Sequence, residues 1–271
     1  MNDVVISVRG LRKSYGAIEA VREIDLEVGR GEIFAFLGPN GAGKTTTVEI
    51  LEGYRERNGG QVEVLGLDPA RADRVWRARL GIVLQECRLE PKLSVAETLR
   101  MFAGYYETPR DVDATIDLVG LTDKADERAG KLSGGQQRRL DVGIALIGDA
   151  ELLFLDEPTT GFDPFARRQF WEVVSGLREL GKTVFLTTHY MEEAQTLADR
   201  VAVIAAGKIV GAGTPEELVA GGNGRLTIET IEPTAVLNDL TGWALERDLE
   251  LTRLEVRRPS LEDVYLELTG D

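Results

Sequence analysis

A glycine-rich stretch near residue 40 contains the residue types that bind phosphate. It fits the pattern Gly, four residues, Gly-Lys-Ser/Thr, and lies between an apolar run at residues 32–37 and a helix-like segment at residues 46–54. Glycines let backbone N–H groups face phosphate oxygens, Lys44 adds a full positive charge, and the Thr45 hydroxyl can bind Mg²⁺. A glycine-rich turn with an incidental lysine is the alternative. We predict a nucleoside triphosphate site at Gly38, Pro39, Asn40, Gly41, Ala42, Gly43, Lys44, Thr45 and Thr46.

Two carboxylates stand at the end of another apolar run. Asp156 and Glu157 directly follow residues 152–155, Leu-Leu-Phe-Leu. Buried carboxylates side by side are costly unless a cation meets them, and Mg²⁺ on a bound triphosphate is such a cation. Alone, the pair would be interpreted as a helix cap or a turn. With the phosphate loop upstream, it predicts that Asp156 holds the metal and that Glu157 polarises the attacking water.

Residues 132–136, Leu-Ser-Gly-Gly-Gln, indicate a second anion site. A serine hydroxyl, two exposed glycine N–H groups and a helix N-terminus can together surround a negatively charged group. An ordinary helix N-cap is the alternative. The predicted members of this site are Ser133, Gly134, Gly135 and Gln136.

The elements that position these residues belong to an α/β fold. Strand, helix and strand patterns at residues 151–155, 165–180 and 183–187 predict a mostly parallel core sheet. Alternating patterns at residues 24–28 and 61–65 predict an antiparallel flank. The phosphate loop should join a strand that ends at Gly38 to a helix that begins near Gly43.

Other segments indicate the domain organisation. Residues 94–147 have almost no strand signal, so we expect a helical subdomain at about residues 88–147, inserted in the core. Residues 70–80 are also predicted to be helical. The glycine-rich stretch after residue 220 predicts a core domain at residues 1–220 and a small α+β accessory region at residues 221–271, which ends in a helix at 260–268.

Composition excludes several classes of protein. The 271 residues include 32 Lys and Arg against 46 Asp and Glu, a net charge of −14 that argues against a nucleic-acid partner. A single cysteine, Cys87, excludes an intrachain disulfide, and no Cys/His cluster suggests structural zinc. The N-terminus has no signal-peptide pattern, and apolar runs are far shorter than the ~20 residues that cross a bilayer. We therefore expect a chain that does not itself span a membrane.

In their order along the chain, the three motifs resemble the ATP-binding cassette of ABC transporters. The resemblance covers about residues 3–220 and implies the P-loop NTPase cassette fold, with ATP and Mg²⁺ as cofactors. The form of the phosphate loop and residues 137–143, Gln-Arg-Arg-Leu-Asp-Val-Gly, are similar to the daunorubicin-resistance type of exporter ATPase. Residues 259–265 resemble the tail of that subfamily over a short stretch.

The resemblance implies contacts at both ends of the nucleotide. Tyr15 matches the aromatic residue that stacks on adenine, and Asp163 matches the aspartate that faces the partner subunit. Cassettes commonly have Ser-Ala-Leu-Asp where residues 160–163 are Thr-Gly-Phe-Asp, so Phe162 puts the details of the partner contact in doubt.

It also implies the catalytic set. Gln85 matches the glutamine that reaches Mg²⁺ and the attacking water, and His189, the only histidine, matches the switch histidine that contacts the γ-phosphate. Glu157, His189 and Gln85 are thus the expected catalytic residues. The expected metal ligands are Thr45, Gln85 and Asp156.

The same resemblance implies an assembly. One cassette presents half of each ATP site, so the chain should form a homodimer with two composite sites. A separate membrane permease should dock near residues 86–92, which implies a cytoplasmic ATPase on the inner face of the cell membrane. A non-transport ABC ATPase and a degenerate nucleotide-binding regulator are the alternatives.

Overall fold

The computed structural model describes residues 4–85, 89–220, 226–229, 233–245 and 254–257. The chain divides into two compact units, Met1–Pro215 and Glu216–Asp271. The domain boundary after residue 220 stays a prediction.

The strands are named in chain order. They are β1 Val4–Tyr15, β2 Ile18–Gly29, β3 Ile33–Leu37, β4 Gly59–Val64, β5 Leu80–Val83, β6 Leu152–Asp156, β7 Thr183–Thr188, β8 Arg200–Ala205, β9 Lys208–Gly213, β10 Leu226–Glu229 and β11 Leu254–Arg257.

The α-helices are named in the same way. They are α1 Lys44–Leu51, α2 Arg74–Ala78, α3 Val95–Ala103, α4 Val112–Leu118, α5 Gly134–Leu146, α6 Pro164–Glu179, α7 Met191–Leu197, α8 Pro215–Ala220 and α9 Pro233–Leu245. Short 3-10 turns lie at Pro69–Arg71, Thr122–Lys124 and Ala129–Lys131.

The first unit contains two sheets. Its core sheet has the order β5-β6-β7-β3-β8-β9 and is parallel except for the β8–β9 pair. A three-stranded antiparallel sheet has the order β2-β1-β4. The predicted parallel core with an antiparallel flank is confirmed.

The central strands β3, β6 and β7 of the core sheet are buried on both faces, as expected for parallel strands between covering layers. Since successive side chains point to opposite faces, Phe34 and Phe154 pack towards the antiparallel sheet, whereas Ile33 and Leu153 pack towards the helices. On the first face, the Phe185 ring lies 5.6 Å from the Phe34 and Phe154 rings. These contacts hold the central strands at fixed spacing.

The parallel arrangement brings the ends of three strands together. Leu37 is in register with Thr188, and Asp156 is in register with Thr187. The residues that follow these strands therefore emerge at one edge of the sheet. They are Gly38, Glu157 and His189.

Helices α3, α4 and α5 lie between β5 and β6 in the chain, in the region that has almost no strand pattern. Ser94 begins α3 with a complete capping box, in which the serine and Glu97 each accept a hydrogen bond from the other's backbone N–H. Leu99 and Leu140 are fully buried between these helices.

The predicted helix at residues 70–80 is wrong in its extent. The segment contains only the end of the 3-10 turn Pro69–Arg71 and the short helix α2. Asp68 caps the turn, and Asp73 caps α2 by accepting a hydrogen bond from the Trp76 N–H at 2.7 Å. Each aspartate begins a separate element, which prevents one continuous helix. Helix α7 and strand β9 were not predicted.

In the second unit, β10 pairs in parallel with β11, and α9 lies between them in the chain. The helix predicted at residues 260–268 lies outside the described residues. In the described part of the chain, no helix has the length and hydrophobicity needed to cross a membrane.

Candidate active site

The phosphate loop joins β3 to α1 as predicted. A Cβ on Gly38 would lie 2.3 Å from the Ile204 carbonyl oxygen, so only glycine fits there. Gly43 has φ 109° and precedes α1, and a Cβ on it would lie 2.5 Å from the Ala20 carbonyl oxygen. The Lys44 ammonium donates to the Gly38 carbonyl at 2.8 Å, which fixes the lysine across its own loop.

This loop borders a cleft of about 330 Å³. The lining includes loop backbone, the Lys44 ammonium, the Thr45 hydroxyl and the exposed Gln85 side chain from the end of β5. The full set of lining residues is Ala20, Asn40, Gly41, Gly43, Lys44, Thr45, Thr46, Gln85 and Glu157. Gly38, Pro39 and Ala42 belong to the loop but are not among the residues that line the cleft.

Tyr15 lies beside the cleft at the end of β1. Its hydroxyl is 3.5 Å from the Thr46 hydroxyl, and the side chain is 40% exposed. The Lys13 ammonium and the Arg55 guanidinium lie 5.2 and 5.3 Å from the ring centre. The ring is thus close to the loop and available to a planar base.

Glu157 is the centre of the charged groups in the cleft. One carboxylate oxygen lies 3.0 Å from the Lys44 ammonium, and the other lies 3.2 Å from Nδ1 of His189. The glutamate has φ 42°, a left-handed conformation that costs about 1–3 kcal/mol for a non-glycine residue. Its N–H donates to Thr187, both to the carbonyl and to the hydroxyl. These bonds hold the strained backbone and aim the carboxylate between lysine and histidine.

The predicted metal ligands offer oxygen donors at this edge of the sheet. Thr45 and Gln85 line the cleft, and Asp156 ends β6 directly before Glu157. The Asp156 carboxylate accepts a hydrogen bond from the Thr187 hydroxyl. Within the described residues, no group of three or more His, Cys, Asp or Glu forms a metal cage. Mg²⁺ commonly uses one or two carboxylates together with substrate phosphates and water, so the donors present fit it.

The second predicted anion site lies at the start of α5. Ser133 forms a capping box with Gln136, in which Gln136 N–H donates to the serine hydroxyl at 3.3 Å. Ser133 and Gly134 are exposed. None of residues 133–136 is among the lining of the phosphate-loop cleft. The two predicted anion sites of one chain are therefore separate surfaces.

Asp163 shares a surface with this second site. It caps α6 by accepting a hydrogen bond from the Ala166 N–H at 2.8 Å. A Cβ on Gly135 would lie 3.1 Å from the Ala166 Cβ, so the starts of α5 and α6 are in contact. Phe162 packs edge-on against Phe170 at 6.1 Å, which gives the unusual Thr-Gly-Phe-Asp sequence a packing role.

Comparisons with known proteins agree with this geometry. The family described as ABC transporter matches residues 21–160, and the family described as ABC transporter domain-containing protein-like, C-terminal domain, matches residues 212–260. The Nod factor export ATP-binding protein I of Sinorhizobium fredii is 39% identical over 99% of this chain and 87% of that protein. The chain belongs to the ABC transporter ATP-binding family.

Other relatives cover the cassette and the accessory region alike. The Nod factor export ATP-binding protein I of Bradyrhizobium diazoefficiens is 40% identical over all of this chain and 98% of that protein. A daunorubicin resistance ATP-binding protein of Streptomyces coeruleorubidus is 36% identical with the same coverage. A solved ABC transporter cassette in its ADP conformation has a TM-score of 0.69 at 21% identity, covering 81% of this chain and 95% of that structure. The cassette fold is confirmed, and the protein is an ATPase that binds ATP.

Sequence reasoning missed Thr187, which contacts the Asp156 carboxylate and the Glu157 backbone N–H. It is fully buried in β7, and a threonine in a buried strand gives no signal that separates it from ordinary β-branched packing. Its hydroxyl donates to Asp156 and accepts from the Glu157 N–H. Only the pairing of β6 with β7 reveals this role.

Arg138 was also missed. This side chain is 6% exposed, and its guanidinium donates to the carbonyls of Leu84, Asp156 and Pro158. The arginine thereby ties α5 to the backbone before Gln85 and on both sides of Glu157. The sequence feature that could have indicated this role is the position of Arg138, two residues after the predicted second anion site.

A third missed residue is Glu193 on α7, which is fully buried. Its carboxylate accepts hydrogen bonds from the Thr159 hydroxyl at 2.9 Å and the Trp171 indole N–H at 3.3 Å. Burial raises the pKa of this carboxyl above its ordinary value. The glutamate connects the segment after Glu157 to the helix after His189.

Proposed function

We propose that this chain is the ATP-hydrolysing subunit of an ABC exporter, which works as a homodimer with a separate membrane permease. The observation that carries this proposal is the separation of the phosphate cleft from the surface formed by residues 133–136 and Asp163. Each surface holds half of the groups that a triphosphate needs. Two copies placed head to tail bring the Ser133 surface of one to the cleft of the other and form two equivalent sites.

The residues of this chain divide the work of hydrolysis in this proposal. Tyr15 stacks on adenine, while the loop N–H groups and Lys44 hold the β- and γ-phosphates. Glu157 accepts a hydrogen bond from the attacking water and takes up its proton as the water adds to the γ-phosphorus, while the bond from that phosphorus to the β–γ bridging oxygen breaks and ADP leaves. His189 contacts the γ-phosphate, and its bond to Glu157 keeps both groups at the same end of the cleft.

Thr45, Gln85 and Asp156 would hold Mg²⁺, which when bound neutralises charge on the β- and γ-phosphate oxygens. The Thr187 hydroxyl orients the Asp156 carboxylate. Ser133 and the exposed N–H groups of α5 would meet the γ-phosphate bound to the partner, and Asp163 would face the same partner. In the proposed dimer, each ATP site therefore combines predicted site residues from both chains.

A groove beside Gln85 supports docking of a permease. It has a volume of about 480 Å³ and lies between β5, α3 and α5. Leu84 and Met101 line it and are 52% and 44% exposed, so the groove presents apolar side chains to solvent. The groove adjoins Gln85, so a segment seated in it would be next to the nucleotide cleft.

The relatives favour an export direction, because their names refer to Nod factor export and to daunorubicin resistance. The two different cargoes in these names support our inference that the permease selects the cargo. In this proposal the protein lies at the inner face of the cell membrane, with residues 1–220 as the catalytic domain and residues 221–271 as an accessory region.

Complementation tests the composite sites. Lys44→Ala damages the phosphate loop, and Ser133→Arg blocks the second anion site, so each variant alone should be inactive. In a heterodimer of the two, the intact loop faces the intact serine in one of the two sites. Random mixing should restore up to about a quarter of wild-type ATPase activity. Mixtures that remain inactive although the two chains associate would overturn the head-to-tail arrangement.

Purification from native membranes tests the transport role. The tagged chain should recover a polytopic membrane protein whose cargo-dependent transport requires ATP hydrolysis. An active dimer that recovers no membrane protein would instead favour a non-transport ABC ATPase.

A further inference from the structure

A second cavity continues from the docking groove towards α1. It has a volume of about 220 Å³ and shares Ile82, Phe102 and Ile144 with the groove. Its polar lining comes from Glu52, Tyr54, Arg77 and Tyr106. The cavity thus adds further charged and polar groups to the docking surface.

Glu52 is the unusual member of this lining. It follows the last residue of α1 and is only 5% exposed. In the described part of the chain, no hydrogen bond lowers the pKa of the Glu52 carboxyl, although buried carboxylates normally have such partners. Neighbouring Glu49 is different, since it is paired with the Arg55 guanidinium at 2.5 Å.

The surroundings of Glu52 are acidic. Burial and the charges of Asp156 and Glu49 raise its pKa to about 8. Across the groove and the cavity, the charged lining residues in the described chain are Glu52, Glu90 and Asp141 against Arg77 alone. Asp141 is paired with Arg138 at 3.8 Å, so it is already used inside the cassette. The lining favours an occupant with positive charge.

We propose that this cavity receives one arginine or lysine side chain from the docking segment of the permease, with Glu52 as its partner carboxylate. The inference rests on the proposed function, because it assigns recognition chemistry to the same docking surface. The apolar groove holds the segment's apolar face, and Tyr54 and Tyr106 flank the cation with aromatic rings. If the cavity held only water in the complex, it would not favour a docking segment with a basic residue.

Pairing of Glu52 with a cation makes the affinity for the permease depend on pH. The ionised carboxylate is the form that binds the cation, so docking releases a proton wherever the free cassette holds Glu52 protonated. In the described chain, the charged and titratable groups around Glu52 are Asp156 and Glu49, whose charges raise its pKa, and Arg77, Tyr54 and Tyr106 of the cavity lining. Affinity for the permease should therefore rise by up to about tenfold from pH 6.5 to pH 7.5.

The experiment uses the full tagged chain, with ATP, added to detergent-solubilised native membranes at each pH. Recovery of polytopic membrane proteins is measured by quantitative mass spectrometry for wild type, Glu52→Gln and Glu49→Gln. We expect Glu52→Gln to recover at least tenfold less permease at pH 7.5 and to lose the pH dependence. Glu49→Gln is the matched control from the end of α1 and should recover at least as much permease as wild type, with its pH dependence moved to lower pH because the Glu49 charge helps to raise the pKa of Glu52. ATPase activity of the soluble Glu52→Gln chain should be unchanged.

The outcomes separate the two proposals. If wild type recovers no membrane protein, the proposed transport function fails. If Glu52→Gln recovers the permease as well as wild type does, the permease docks without a cation at Glu52, and the inference is overturned while the transport function stands. A charge exchange provides the second test: Glu52→Arg should lose the permease, and an acidic replacement of one basic permease residue should restore binding. If no single replacement restores it, the assigned contact is wrong.

Discussion

Substitution of Arg138 by lysine tests whether one buried side chain holds the active-site backbone. The guanidinium donates to three carbonyls, those of Leu84, Asp156 and Pro158, from a position that is 6% exposed. A lysine ammonium carries the same charge but lacks the planar fork, so it can reach about one of the three. The remaining carbonyls would be left buried without a donor.

The magnitude follows from those bonds. Each hydrogen bond from a charged donor contributes about 1.5–3 kcal/mol to the free energy of unfolding. Two lost bonds, partly replaced by water, should lower this free energy by about 3 kcal/mol. Because the bonds fix the backbone beside Glu157 and before Gln85, kcat should fall about a hundredfold. KM for ATP should change little, since Lys44 and the phosphate loop are not touched.

Urea unfolding followed by circular dichroism and steady-state ATPase assays measure both effects in the full chain. Arg139→Lys is the control, because the neighbouring guanidinium donates to the Gly120 carbonyl at 2.9 Å on a partly exposed face. It should change the free energy of unfolding by less than about 1 kcal/mol. If Arg138→Lys retains wild-type stability and kcat, the backbone beside Glu157 is held by other contacts and the reasoning is refuted.

Three further predictions follow from the active site and the buried carboxylate. Glu157→Gln should abolish turnover but leave ATP-bound dimers that gel filtration detects; rapid turnover would remove Glu157 as the base. Gly43→Ala should lose ATP binding in a filter assay, because φ 109° and the Ala20 carbonyl exclude a Cβ; retained affinity would contradict the close contact. The pKa of Glu52 is raised from 4.5 to about 8, so the folded chain is progressively destabilised as pH rises through that window. Glu52→Gln should match wild type in urea unfolding at pH 4.5 and exceed it at pH 8 by up to about 4 kcal/mol; equal stability at pH 8 would show that Glu52 ionises freely.

The local motifs could be predicted because their chemistry is contained in consecutive residues. The phosphate loop needs its own glycines and Lys44, and the Ser133 capping box needs a residue three positions later. The parallel core was predictable from strand and helix periodicity. Helix α2 and its preceding turn were not, because two aspartate caps divided a segment whose composition favours one helix.

Contacts between distant elements could not be predicted in the same way. The left-handed backbone of Glu157 depends on β7, which follows it by about thirty residues, and the role of Arg138 depends on where β5 and β6 end. In the sequence, Glu193 follows another glutamate and resembles an ordinary surface residue, yet it is fully buried. In each case the deciding partner is far away in the chain.

The position of Thr187 has a consequence for how such an ATPase can change over evolution. One hydroxyl orients the carboxylate proposed to hold the metal and also holds the backbone of the carboxylate proposed as the base. A substitution at this residue therefore changes metal affinity and turnover rate together, and neither can be adjusted there without the other. A lineage that slows hydrolysis while it keeps tight metal binding must alter the Glu157 side chain or its contacts with Lys44 and His189.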